Sequence, residues 1–140
     1  MGKIGMEKQK LKVMVIRPHE KPEMVEIEDS LEAMQRLVGG WIEEYMPFDD
    51  DVAIICNEEG KYNSSKANRA IYDRNGGIKE IIFGDFFLCN APIESEKLLS
   101  LTPEQERKYM ERFKNPEAFF YTSSGVVAKD LKSRSSEWER

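Results

Sequence analysis

Apolar and polar residues change rhythm several times along this chain, and each change marks an element. Leu11, Val13 and Val15 alternate with Lys12, Met14 and Ile16. Because most of both sets is apolar, the run predicts a strand covered on both faces. Arg17-Pro18-His19-Glu20-Lys21-Pro22 is a turn, since its two prolines cannot continue a ladder. Met24-Val25-Glu26-Ile27-Glu28 alternates again and predicts a second strand, paired with the first as a hairpin. Asp29-Ser30 is a helix N-cap signal, and Glu32 suits the positive end of the helix dipole. Leu31, Met34, Leu37 and Val38 then share one helical face, and Gly39-Gly40 closes a helix of about two turns.

Trp41-Ile42-Glu43-Glu44-Tyr45-Met46 returns to strand spacing, and Pro47-Phe48-Asp49-Asp50-Asp51 breaks it. The uninterrupted apolar run Val52-Ala53-Ile54-Ile55-Cys56 predicts a central, buried strand. Asn57-Glu58-Glu59-Gly60 turns the chain, and residues 61–70 read as polar and irregular, ending in Asn68-Arg69-Ala70. Asn75-Gly76-Gly77 is a hairpin-type turn. Ile78–Phe83 and Asp85–Cys89 form one bent strand or two, hinged at Gly84. Thr102-Pro103-Glu104-Gln105 is a capping box with proline at the first helical position. It opens a helix with Tyr109, Met110 and Phe113 on one face, which Asn115-Pro116 stops. Phe119-Phe120-Tyr121 and Val126-Val127-Ala128, around Ser123-Ser124-Gly125, predict a last hairpin.

These elements imply an α+β fold: a mainly antiparallel β-sheet with two or three short helices packed on it. The expected division is a flexible lead over 1–10, one domain over 11–128 and a frayed tail over 129–140. Short connections leave no room for repeated βαβ crossovers. With neither G-x-G-x-x-G nor G-x-x-x-x-G-K-[ST] present, a doubly wound nucleotide fold is not expected.

Composition narrows the chemistry. At 140 residues the chain has the length of one domain. Its 21 basic and 26 acidic residues leave a net charge of −5 and no dense Lys/Arg window, so nucleic acid is a poor partner. The apolar runs are far shorter than the roughly 18 residues of a membrane span. No apolar signal region follows Met1, and we expect a cytoplasmic protein in a bacterial host. One histidine, His19, and two cysteines, Cys56 and Cys89, make neither a zinc ligand set nor a Cys–His catalytic pair. Both cysteines lie in apolar runs and are expected to be free and buried. No cofactor, metal or enzymatic activity is expected.

Several runs taken in order carry a resemblance. They are Leu31-Glu32-Ala33-Met34-Gln35, Val38-Gly39-Gly40, Pro47-Phe48-Asp49-Asp50, Ile55-Cys56-Asn57-Glu58-Glu59-Gly60-Lys61, Asn68-Arg69-Ala70 and Gly84-Asp85-Phe86-Phe87-Leu88. Together they resemble the DUF3846 family over roughly residues 11–90, with a looser match at Pro116–Phe120. The resemblance implies association with phages, plasmids and their hosts. It assigns no site residue.

The candidate site therefore comes from the residues themselves. Asn68-Arg69 follows a long polar stretch, where an Arg fork is suited to holding a phosphate or carboxylate bidentately, or to pinning the loop. Asn57 and Asn68 would add neutral donors. Trp41, Tyr45 and Tyr62 would offer rings for a nucleobase, with Trp41 and Tyr45 on one strand face. Asp49-Asp50-Asp51 and Asn57-Glu58-Glu59 read as solvated turns. The expected function is a non-enzymatic, mobile-element binding protein that sequesters a small nucleotide-type immune signal. The alternatives are an acidic protein-interaction inhibitor of a host defence or restriction complex, and a housekeeping domain without ligand. An unpaired sheet edge, covered by Trp41 across a two-fold axis, leads us to expect a homo-oligomer.

Overall fold

The structure, a computed structural model, describes residues 9–62 and 65–131. It is an α+β arrangement in which every strand pairing is antiparallel. The main sheet contains β1 (Lys10–Ile16), β2 (Glu23–Glu28), β3 (Ile42–Tyr45), β4 (Val52–Asn57) and β7 (Phe86–Asn90), in the order β2-β1-β7-β4-β3. A second sheet pairs β5 (Ala67–Tyr72) with β6 (Ile78–Phe83), and a third pairs β8 (Glu117–Thr122) with β9 (Gly125–Asp130). Among the described residues there are two helices, α1 (Leu31–Val38) and α2 (Pro103–Phe113).

The period of two explains how one sheet builds two cores. Leu11, Val13, Val15, Ala53, Ile55, Phe87 and Cys89 face one side, where Met34 and Val38 of α1 pack on them. Met14, Ile16, Val52, Ile54, Phe86 and Leu88 face the other, under Tyr109 and Phe113 of α2 and Ile71 and Ile82 of the β5–β6 hairpin. All six residues of β4 are buried, and a strand covered on both faces favours an apolar run, here Val52–Cys56, before the polar Asn57 at its end.

Local chemistry sets the ends. Ser30 caps α1 by accepting from the Ala33 N–H at 3.1 Å, and Gly39 ends it at φ 84°. Thr102 and Gln105 form the predicted capping box on α2. Gly84 sits at φ 79° between β6 and β7, so the two are separate strands in different sheets, turned at the expected glycine.

Two expectations need correction. Residues 67–70 are not irregular: they open β5, with Asn68, Arg69 and Ala70 all buried. The expected frayed tail starts too early, because Lys129 and Asp130 belong to β9. The lead over residues 1–8 and the tail over 132–140 lie outside the described residues. Cys56 and Cys89 are free and buried, and burial pushes both thiols up to about 12, with nearby glutamates adding to the shift. Native protein should therefore react with a thiol reagent far more slowly than denaturant-unfolded protein, and equal rates would contradict the burial.

Candidate functional site

Five of the six expected site residues fall in two places, and Trp41 falls in neither. Asn68 and Arg69 sit in β5 on a clasp that joins distant segments. Asn68 Nδ2 donates to the carbonyls of Ile16 at 2.9 Å and Gly84 at 2.8 Å. Arg69 Nε and Nη2 donate to Phe113 O at 3.3 and 3.0 Å, and Nη2 also donates to Glu20 O at 2.7 Å. Nη1 donates to Asn68 Oδ1 at 2.9 Å and Asn68 O at 3.4 Å. A guanidinium has five N–H donors, and these five bonds engage them all. The fork holds the last carbonyl of α2 and the β1–β2 turn, leaving no donor for a phosphate. Burial pulls the Arg69 pKa below its ordinary value, and Glu117 and Asp130 oppose that pull.

Asn57, Tyr45 and Tyr62 line a second place, a cavity of about 280 Å³ between the β3–β4 edge and β6. Asn57 is committed here too: its Nδ2 donates to Val38 O at 3.3 Å, and its Oδ1 accepts the Glu59 N–H at 2.8 Å. That amide ties the end of α1 to the end of β4, rather than forming part of a solvated tip. Glu43, Glu58 and Glu80 also line the cavity, against Lys61, so its sign is wrong for a phosphate. Tyr45 registers this: burial raises its pKa, and Glu80, Cys56 and Glu43 add to the rise. Trp41 lies outside the lining at 68% exposure.

A third place was not anticipated. A cleft of about 590 Å³ opens between α2, the β3–β4 loop and the β5–β6 turn. Four cations line it, Arg74, Lys79, Lys108 and Arg112, against two carboxylates, Asp49 and Asp73. The turn is built by Asp73, whose Oδ1 accepts the N–H groups of Asn75 and Gly77, both at 2.9 Å. Arg74 lies within that turn and Lys79 just beyond it, at the start of β6. Lys108 and Arg112 are four apart on α2 and share its face. The rings of Phe48, Tyr72 and Tyr109 stand among these charges. Phe48 and Tyr109 are 4.9 Å apart between centroids, and the Arg112 guanidinium lies 4.8 Å from the Phe48 centroid. Arg74 and Lys79 pair with no carboxylate among the described residues.

Asp50 fixes one wall of this cleft. Its carboxylate accepts from Lys108 Nζ at 2.8 Å, from the Tyr109 hydroxyl at 2.7 and 2.8 Å, and from the Val52 N–H at 3.1 Å. Burial works against its charge, but the bonds from Lys108, Tyr109 and Val52 outweigh burial and hold its pKa below the ordinary 3.8. The middle aspartate is therefore a clamp on α2, not the solvated turn residue expected. A depressed carboxyl contributes stability above its unfolded pKa and loses it as pH falls through the folded value. The melting temperature should fall as the pH drops through the ordinary 3.8 and below it in the native chain, and less steeply in Asp50→Asn. Equal slopes would contradict the clamp.

A family model for the Domain of unknown function DUF3846 matches residues 11–114. The chain belongs to the DUF3846 family. In this DUF3846 chain the match runs from β1 through α2, further than the resemblance over residues 11–90, and takes in Asn57, Asn68, Arg69 and the four cleft cations, while Glu117 and Asp130 beside Arg69 lie beyond it. No curated protein and no solved structure matches it. Among the described residues no helix is long and apolar enough to cross a membrane.

Proposed function

We propose that this DUF3846 chain is a non-enzymatic binding protein whose ligand is a small nucleotide-type anion held between α2 and the β5–β6 turn. The observation that carries this reading is the convergence of Arg74, Lys79, Lys108 and Arg112 on a cleft walled by Phe48, Tyr72 and Tyr109. Cations supply charge-assisted bonds to phosphate oxygens, and aromatic or guanidinium planes stack on a base. At about 590 Å³ the cleft falls inside the ~300–1,000 Å³ range of ligand pockets. Arg74 and Lys79 reach the phosphate, while Arg112, stacked on Phe48, offers its plane to the base.

Turnover through a cysteine nucleophile finds no support. Both thiols are buried with pKa values pushed to about 12, far from the thiolate a nucleophile needs. A protein that holds a nucleotide without consuming it lowers the free concentration of that nucleotide. In a bacterial cytosol, sequestration of a small nucleotide-type immune signal is the role such capture serves for a mobile element.

The test is mass spectrometry of small molecules released by heating protein purified under native conditions from cells that make signalling nucleotides. The reading expects a phosphorylated aromatic compound from the native chain and its loss from Arg74→Ala/Lys79→Ala. Equal release from both would contradict it.

A further inference from the structure

We propose that the outer edge of β3 docks an extended basic segment of a partner protein, one arginine or lysine side chain of which enters the cavity beneath Tyr45 and Tyr62. This goes beyond the nucleotide reading and rests on a different part of the molecule.

β3 is the last strand of the five-stranded sheet and, among the described residues, pairs only with β4. Its other edge presents main-chain donors and acceptors in strand register, the template on which an extended peptide adds as a further strand. In that mode main-chain bonds supply affinity and a pocket for an alternate side chain supplies specificity. The pocket is present. Glu43 and Tyr45, two apart on β3, line the cavity of about 280 Å³. A residue of the added strand on that same face would point toward it.

The chemistry of the lining selects the occupant. Glu43, Glu58 and Glu80 face Lys61, which is paired with Glu80 at 2.9 Å, so three carboxylates meet one ammonium. The walls include Tyr45, Tyr62 and Phe83, rings on which a guanidinium or ammonium is attracted to the π-face. Among the described residues no three His, Cys, Asp or Glu side chains come together as a metal-holding group, which favours an organic cation. The volume lies just under the ~300 Å³ floor of ordinary ligand pockets and suits one side chain better than a whole cofactor.

The surroundings select a protein strand rather than a free amine or a second copy. Trp41 is 68% exposed at the start of β3 and Tyr62 is 84% exposed above the cavity, two large rings that no described residue covers. Glu44 and Glu59 are exposed and extend the negative charge along the edge. A second copy laid antiparallel on β3 would bring its own Glu43 and Glu44 against these carboxylates, and opposed like charges destabilise a strand pair.

The experiment is fluorescence anisotropy of the full chain with three labelled peptides of equal length, alternating valine with arginine, glutamine or glutamate. The arginine peptide should bind about tenfold or more tighter than the glutamine peptide, and added salt should narrow the gap. Glu43→Gln/Glu80→Gln should weaken it about tenfold at an unchanged melting temperature, the sum of two modest charge contributions. Glu23→Gln/Glu26→Gln, on the opposite edge, should leave it unchanged. Equal loss from both pairs would mean a general charge effect and overturn the site. Agmatine binding as tightly as the peptide would assign the cavity to a small cation and overturn the strand. A dimer by sedimentation that excludes the peptide would give the edge to a second copy and overturn the proposal.

Discussion

Replacing Arg69 with alanine is expected to lower the melting temperature by roughly 10 °C, corresponding to a loss of about 2–4 kcal/mol. The size follows from what the side chain leaves behind. Arg69 is 1% exposed, so its removal opens a void as well as deleting a charge. The carbonyls of Phe113 and Glu20 and the side-chain oxygen of Asn68 all lose a donor at once. Each buried acceptor left unsatisfied costs about 1–3 kcal/mol, and partial relaxation or water entry recovers some of the total. Arg69→Lys should fall between the two, because an ammonium keeps the charge but cannot span three acceptors in a fork. Nucleotide binding measured below the melting transition should be unchanged in Arg69→Lys. A melting temperature unaffected by Arg69→Ala would overturn the clasp.

The second large effect belongs to the cationic cleft. Arg74→Ala/Lys79→Ala should weaken nucleotide binding about 10- to 150-fold, at roughly 1.5–3 kcal/mol for bonds to a charged group. Both side chains stand in or just beyond a surface turn and hold no carboxylate among the described residues. The double variant should therefore melt within a few degrees of the native chain, as surface substitutions do. That separates it from Arg69→Ala: one variant moves affinity and the other moves stability.

How much was legible follows from which rule each segment obeys. β1 and β4 carry the apolar runs of strands covered on both faces, β2 shows the alternation of a half-buried edge strand, and Ser30, Gly39 and Thr102 carry their capping chemistry locally. β5 breaks the rule that buried means apolar. Its Asn68 and Arg69 are satisfied by Ile16, Gly84, Phe113 and Glu20, carbonyls that lie between 16 and 52 residues away in sequence. A local window reads such residues as loop. The same blindness misplaced Asp50, whose partners Lys108 and Tyr109 are 58 and 59 residues on. It also hid the cationic cleft, because Arg74, Lys79, Lys108 and Arg112 form no run and converge only when α2 lies beside the hairpin. Cations and rings do come together in this fold, but on α2 and the β5–β6 turn rather than at Arg69.

The measurement that tests this account most directly is calorimetric titration of the full chain with mononucleotides and cyclic dinucleotides at low and high salt. The account predicts saturable binding of at least one phosphorylated nucleotide, no binding of the matching nucleoside, and weakening with salt as screening of the cleft requires. Nucleoside and nucleotide binding alike, or no heat from any of them, would contradict it.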